Sequence, residues 1–143
     1  MQYSVTSGDV TGAAAKTILA IIGTAARRPR LIQVIIGCSG APADNVAKFR
    51  IQQFTADGTG TGVTVESVDG GDGAALCTAK MNYTVEPTYR ATGGLVIPLN
   101  QRATMVYNVP VAYMPPIGAA AGIGIQMVAG PALAYNVTAI FEE

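Results

Sequence analysis

The sequence predicts an all-β protein: an antiparallel β-sandwich, jelly-roll-like in topology, with about eight to ten strands. Three observations predict this fold. Apolar and polar residues alternate with the two-residue period of strands along most of the chain. Clusters rich in glycine and proline, such as "ADGTGTG" and "MPPIGAAAG", separate the alternating runs. Only one segment could pass for a helix. Many short strands joined by such turns are typical of a sandwich.

The strand signal is clearest in two segments. Residues 46–55 are apolar on one face and polar on the other, and residues 133–141 repeat the pattern. Four side chains of the last segment are predicted to face the core: Tyr135, Val137, Ala139 and Phe141. The complete set of predicted strands lies near residues 2–7, 16–23, 30–37, 46–55, 61–67, 78–84, 94–98, 103–113, 121–128 and 133–141.

One segment imitates a helix. Residues 11–26, "TGAAAKTILAIIGTAA", are rich in alanine, but their β-branched centre and Gly23 favour a strand. Residues 1–12 allow two interpretations, a first strand or an N-terminal arm. With no linker and no internal repeat, residues 1–143 are predicted to form one domain.

The composition predicts self-association. Only 13% of the residues are charged and 50% are hydrophobic, whereas about 25% charged residues is ordinary for a globular protein. So little charge cannot cover a monomer, and we expect a subunit that hides much of its surface against copies of itself or a larger assembly. The nine basic and nine acidic residues cancel. No global field therefore attracts a polyanion, and we expect no nucleic-acid partner.

The segment "RRPRLIQVIIG", residues 27–37, concentrates the positive charge. Pro29 fixes an extended entrance to a strand whose two faces are both mostly apolar. Such a strand is predicted to be covered by the core on one side and by a neighbouring subunit on the other. A nucleic-acid patch would need further basic residues and exposed aromatic rings, which this chain lacks. The predicted protein interface comprises Arg27, Arg28, Arg30, Ile32, Val34 and Ile36.

Residue types exclude most catalytic sites. The chain has no histidine, so it has no Ser-His-Asp triad, no Cys-His dyad and no histidine metal set. A carboxylate pair formed by Glu66 and Glu86 stays possible, but nothing in the spacing favours it over ordinary surface carboxylates. We therefore expect a protein that is not an enzyme and needs no cofactor.

Two further features have ordinary interpretations. "DGGDG" places Asp69 and Asp72 on a glycine-rich loop, where oxygen ligands could hold Ca²⁺, but two carboxylates without the EF-hand spacing favour a plain turn. Cys38 and Cys77 form neither a disulfide framework nor a metal motif, so we expect free thiols.

A long uncharged region invites a membrane interpretation. No charged residue lies between Arg102 and Glu142. Four prolines interrupt this region and its Asn and Gln side chains would need partners in lipid, so buried strands explain it better. The apolar run after Lys16 is too short for a secretion signal, and Asp9 precedes it. We expect neither a membrane partner nor secretion.

The order of features resembles a known class of proteins. "AAAKTILAI", "RRPRLIQVIIG", "AKFRIQQFTADGTGT", "YTVEPTY" and the terminal "ALAYNVTAIFEE" follow one another. Together they resemble small head proteins of tailed bacteriophages, of the decoration or cement type built on a jelly-roll-like sandwich. The most specific pieces are "VEPTY", residues 85–89, and "VTAIFEE".

The resemblance implies a structural role in the virion. It implies trimers on the outer surface of the capsid that bind the major capsid protein and brace neighbouring capsomers. A different function on a similar fold is the trimeric receptor- or carbohydrate-binding head of a tail fibre. That alternative would be expected to show more aromatic residues than six tyrosines and three phenylalanines in a chain without tryptophan.

Overall fold

The computed structural model describes all 143 residues and contains twelve β-strands and no helix. No segment therefore provides a long apolar helix of the kind that crosses a membrane. The strands are β1 (Gln2–Thr11), β2 (Lys16–Ile22), β3 (Arg30–Cys38), β4 (Val46–Ala56), β5 (Thr59–Val63), β6 (Glu66–Ser67), β7 (Thr78–Val85), β8 (Thr88–Tyr89), β9 (Leu95–Asn100), β10 (Met105–Tyr113), β11 (Gly122–Ala129) and β12 (Ala134–Glu142).

The strands form two antiparallel sheets that pack face to face. Sheet A has the order β10-β3-β12-β1-β6. Sheet B has the order β5-β7-β2-β11-β4, and both β8 and β9 pair with the outer side of β4. Eight of the strands follow the jelly-roll path: β1, β12, β3 and β10 in sheet A, and β2, β11, β4 and β9 in sheet B. The predicted all-β, jelly-roll-like sandwich is therefore confirmed.

The remaining strands are additions to this eight-stranded framework. β5 and β7 widen sheet B beyond β2, and β6 pairs with β1 at the edge of sheet A. The predicted strand at residues 61–67 is divided between β5 and β6, and the two-residue β8 had no strand signal of its own. All ten predicted segments contain strand, so the count exceeds the prediction only through short elements.

The first twelve residues are a sheet member and not an arm. β1 pairs with β12 over almost its whole length and with β6 on its other side. Its inward side chains Tyr3, Val5 and Val10 are buried. An arm would leave these apolar groups in water, so their burial explains why the segment joins the sheet.

A single core lies between the two sheets. It contains 23 buried residues drawn from both sheets. The last strand contributes Tyr135, Val137, Ala139 and Phe141, all fully buried, which confirms the predicted register of β12. Ring pairs reinforce both ends of this core, since Tyr3 lies 5.7 Å from Phe141 and Phe49 lies 5.4 Å from Tyr135, centroid to centroid.

The outer face of sheet B is also covered. Residues 86–94, which connect β7 to β9, cross this face and are called the strap. The Tyr89 ring lies against Gly124, where any Cβ would meet the phenol oxygen at 2.1 Å, and it packs on Phe54 at 6.1 Å. A small second core therefore forms beneath the strap from Ala20, Ile22, Phe54 and Tyr83. This explains why β2 is buried on both faces.

Hydrogen bonds to sheet B fix the strap. The Glu86 carboxylate accepts the backbone N–H of Thr17 at 2.9 Å and also accepts the Thr17 hydroxyl. The amide nitrogen of Gln126 lies 3.3 Å from the same carboxylate, and its amide oxygen accepts from Arg50 at 2.7 Å. Glu86 and Tyr89 belong to the "VEPTY" segment, so that segment attaches the strap to the sheet.

Candidate functional site at the arginine end

The connections between strands lie at two opposite ends of the sandwich. One end, called the arginine end, is formed by residues 23–29, 68–77, 90–94 and 114–121. The other, called the closed end, is formed by residues 12–15, 39–45, 101–104 and 130–133. The pairings of Arg30 with Glu142 and of Ile22 with Gly122 place the first set of loops together.

The arginine-rich loop has a defined conformation. Thr24 accepts the backbone N–H of Arg27 with its side-chain oxygen at 3.0 Å and donates its own backbone N–H to the Arg27 carbonyl at 2.7 Å. Gly23 donates to the Ala121 carbonyl at 2.8 Å and so joins the loop to the next connection. Pro29 is buried at the start of β3. The buried proline holds the flanking arginines in an exposed position.

The three arginines differ in their partners. Arg30 forms an ion pair with Glu142, its neighbour across the sheet. Arg27 and Arg28 are exposed and take part in none of the ion pairs of the chain. Two guanidinium groups are thus free to bind carboxylates or carbonyl groups of another molecule.

The apolar half of the predicted interface needs a correction. Val34 and Ile36 are fully buried in the chain's own core together with Leu31, so neither can contact another subunit. The reason is a β-bulge: Ile140 pairs with Gln33 and Phe141 with Leu31, which leaves Ile32 as the extra residue. One extra residue reverses the alternation, so the outward side chains after the bulge are Gln33 and Ile35.

A pocket of about 380 Å³ opens at the arginine end and is called the Tyr3 pocket. Tyr3 lines it, and the Tyr3 hydroxyl donates to the Gly73 carbonyl at 3.2 Å. Met1, Ala74 and Leu76 supply apolar walls, and Arg27 and Glu143 supply one charge of each sign. A pocket of this size with a few polar groups is able to receive an apolar side chain.

The Glu143 side chain fixes one wall of this pocket. Its two carboxylate oxygens accept the backbone N–H groups of Leu76 and Cys77, each at 2.8 Å. Burial alone would raise the pKa of Glu143, but these hydrogen bonds and the nearby Arg27 charge outweigh it, so its pKa is lowered. Burial, with a contribution from Glu143, raises the pKa of the Cys77 thiol to about 12.

A second pocket of about 240 Å³, called the Tyr113 pocket, lies at the same end. Arg90 donates to the Gln53 amide oxygen at 2.7 Å, and Tyr113 donates to the Ile51 carbonyl at 3.2 Å. Gly93 and Gly94 form its rim with positive φ angles of 89° and 113°. Its lining is mostly polar, in contrast to the Tyr3 pocket.

Exposed apolar side chains also gather at the arginine end. Nine large hydrophobic residues of the chain are exposed. Four of them lie in or beside the loops of this end: Met1, Val68, Leu76 and Ile117. The other five lie on strands: Val46, Val85, Val96, Val106 and Val111. Exposed apolar groups beside free arginines are typical of protein–protein interfaces.

The other sequence candidates lie apart from one another. The Asp69 carboxylate accepts the Gly71 N–H at 2.9 Å and the Asp69 carbonyl accepts the Asp72 N–H at 2.9 Å, which closes the "DGGDG" loop as a turn. Glu66 lies in sheet A, whereas Glu86 lies over sheet B. No group of three potential metal-binding side chains is present. Cys38 and Cys77 are both free thiols.

Sequence reasoning missed most of the residues that line the two pockets. Tyr3, Leu76 and Glu143 are far apart in the chain and meet only because β1, β7 and β12 reach the same end of the sandwich. No local pattern carries this information. Ile117 had a partial signal, since an apolar residue within "MPPIGAAAG" occupies a loop where a polar one is usual.

Comparison of the chain with protein-family models, with curated proteins and with solved structures finds no match.

Proposed function

We propose that this chain is a structural virion protein, a capsid decoration or cement protein that binds the outer surface of a phage head as a homotrimer. The observation that carries the proposal is the composition of the arginine end. Two free arginines, four exposed apolar side chains and the Tyr3 pocket lie together there. The jelly-roll fold and the order of the sequence features, which resembles that of head decoration proteins, support it.

The residue types at this end suit contact with protein. Arginine, tyrosine and methionine are enriched at protein interfaces, and a ring or alkyl group in a pocket commonly supplies much of the binding energy. Arg27, Met1 and Tyr3 meet this description around one pocket. A major capsid protein that offers carboxylates would match the free guanidinium groups of Arg27 and Arg28.

The same surface is poorly suited to nucleic acid. Glu142 and Glu143 lie beside the arginines, and one of them neutralises Arg30. Binding to phosphates needs several uncompensated basic groups along a groove. Only Arg27 and Arg28 of the arginine-rich loop lack an ion-pair partner. A protein partner therefore fits the charge distribution better than a polyanion does.

Capsid binding tests the proposal directly. Capsids of the phage that encodes the chain, prepared without it, are mixed with wild-type protein or with the Arg27→Glu, Arg28→Glu double variant and sedimented. We expect wild type to bind at capsid-like copy number and the double variant to lose at least tenfold in affinity. Lys48→Glu, an exposed charge reversal on β4, serves as the matched control and should bind normally. Wild-type protein that does not sediment with capsids would refute the proposal.

One observation favours the second candidate, the receptor- or carbohydrate-binding head of a tail fibre. The Tyr113 pocket combines an aromatic ring with polar side chains, as sugar subsites do. A glycan array probed with wild type and with Arg90→Ala separates the two functions. Binding to a glycan that Arg90→Ala abolishes, without capsid binding, would favour the appendage over the decoration protein.

A further inference from the structure

The most exposed large apolar side chain of the molecule is Ile117, which is 72% exposed. It projects from the loop between β10 and β11, beside the small residues Gly118, Ala119 and Ala120. No charged residue occurs in this loop. A lone isoleucine on a neutral, narrow loop can approach another surface without steric or electrostatic obstruction.

The Tyr3 pocket lies on the opposite side of the same end. β10 is one edge of sheet A, whereas β1 and β6 form the other edge. Ile117 follows β10, and the pocket is built on Tyr3 of β1 and on the loop after β6. The chain therefore presents an apolar projection and an apolar pocket on opposite sides of one end.

We propose that Ile117 of one subunit inserts into the Tyr3 pocket of the next and so closes the ring of a homotrimer. This inference rests on the proposed homotrimer and identifies its contact. The contact is heterologous: each subunit offers one projection and one pocket, which is the arrangement that closes a ring under rotation.

Size and charge both favour a second copy as the occupant. The pocket volume of about 380 Å³ lies at the low end of ligand pockets, roughly 300–1,000 Å³, and accommodates one branched aliphatic side chain with its loop. Arg27 and Glu143 contribute opposite charges to the rim. Because these two charges cancel, the rim neither attracts nor repels an uncharged loop, and it gives no net electrostatic attraction to a strongly charged partner.

Chemical cross-linking tests the contact. Ile117→Cys and Ala74→Cys are combined in a Cys38→Ser, Cys77→Ala background and treated with a short bis-maleimide. Cys77 is replaced because it follows Leu76 of the pocket, so that a cross-link between it and Ile117→Cys is not mistaken for an isologous contact. We expect dimer and trimer bands in denaturing gels for the double variant and none for either single variant. Cross-linking by Ile117→Cys alone would overturn the proposal, because it would show an isologous contact.

The oligomeric state of exposed-site variants gives an independent test. Ile117→Asp should reduce the mass in solution to that of the monomer, 14.6 kDa, while Val106→Asp on the outer face of sheet A should not. Both positions are exposed, so both variants should fold, and circular dichroism confirms this. Dissociation by Val106→Asp alone would place the interface on sheet A and overturn the inference.

The two proposals fail in different ways. A wild-type oligomer that binds capsids but shows no cross-link between positions 74 and 117 refutes the ring contact and leaves the decoration function. A cross-linked trimer that does not bind capsids refutes the decoration function and leaves the ring contact. A monomeric wild-type protein at micromolar concentration refutes the ring contact outright.

Discussion

The two ends of this jelly roll use their polar groups differently. At the closed end, the buried Gln101 donates to the Tyr135 hydroxyl at 2.9 Å and accepts the Ala43 N–H at 3.2 Å. Tyr135 in turn donates to the Pro131 carbonyl at 3.2 Å. One glutamine and one tyrosine thus connect three of the four loops, and the fourth joins them through a hydrogen bond from Gly12 to Leu133.

The arginine end has no equivalent connector. Thr24 bonds within its own loop, one bond from Gly23 to Ala121 joins two loops, and Glu143 bonds to the loop 68–77, but no side chain at this end joins three loops. Two guanidinium groups, four apolar side chains and two pockets are left open to solvent. The comparison indicates that the closed end stabilises the sandwich, whereas the arginine end is available for binding.

The exposed surface area of the chain is that of a compact monomer. The folded chain exposes 6591 Å², and a monomer of its mass is expected to expose about 6,900 Å². The low charge content therefore does not reflect an unusually extended or incomplete fold.

The largest loss of stability is expected from a substitution in the core next to the Tyr3 pocket. Phe141 is fully buried and packs on Tyr3. Phe141→Ala should lower the free energy of unfolding by about 3–5 kcal/mol, because it removes a buried ring and leaves a cavity. Urea denaturation of both proteins measures this loss. A loss of no more than about 0.5 kcal/mol, the size of a surface effect, would contradict the packing of Phe141.

Removing one tyrosine hydroxyl at each end should lower stability by a smaller amount, and by more at the closed end than at the arginine end. Tyr135→Phe removes the hydroxyl that connects the closed-end loops and leaves the amide nitrogen of Gln101 without a partner, so it should lower the free energy of unfolding by about 1–3 kcal/mol. Tyr113→Phe is the matched control at the arginine end, where a half-buried hydroxyl makes one bond to Ile51 and should cost about 0.5–1.5 kcal/mol. Hydrogen exchange should rise in residues 39–45 and 130–133 only for Tyr135→Phe. Equal costs and equal exchange would refute the closed-end role.

Much of the fold could be predicted from the sequence because strand alternation is a local property. The alternating residues of β12 determine which side chains face the core, and the structure confirms all four. The same reasoning failed in β3, where a bulge at Ile32 reverses the alternation. The position of a bulge is set by pairing with the partner strand, and no residue type within "RLIQVII" predicts it.

The candidate site was only partly predictable. The arginines were identified because three of them occur within four residues, and charge is visible without a structure. The Tyr3 pocket was not, because its walls come from both ends of the chain and from residues 73–76. Such a site exists only once the jelly-roll topology has brought these segments to one end.

Glu143 should change the stability of the protein only at acidic pH. Its pKa is lowered from 4.5 in the folded state. A carboxyl with a lowered pKa stabilises the fold above its unfolded pKa, and this stabilisation is lost as the pH falls through the folded value. Glu143→Gln should therefore flatten the fall in stability below about pH 4.5, because it removes the titrating carboxyl. Melting temperatures across this pH range provide the measurement.

Two exposed-site substitutions, one at each end, should hardly change stability but should differ in their effect on association. Leu76 at the arginine end is 56% exposed, and Val46 beside the closed end is 59% exposed. Leu76→Ser and Val46→Ser should each change the free energy of unfolding by no more than about 0.5 kcal/mol, because neither side chain is packed in the core. Their effects on association should nevertheless differ. Leu76→Ser removes an apolar wall of the Tyr3 pocket and should weaken the trimer, whereas Val46→Ser should leave the sedimentation coefficient unchanged. If Val46→Ser dissociates the oligomer and Leu76→Ser does not, the binding surface lies at the closed end, and the roles assigned to the two ends must be exchanged.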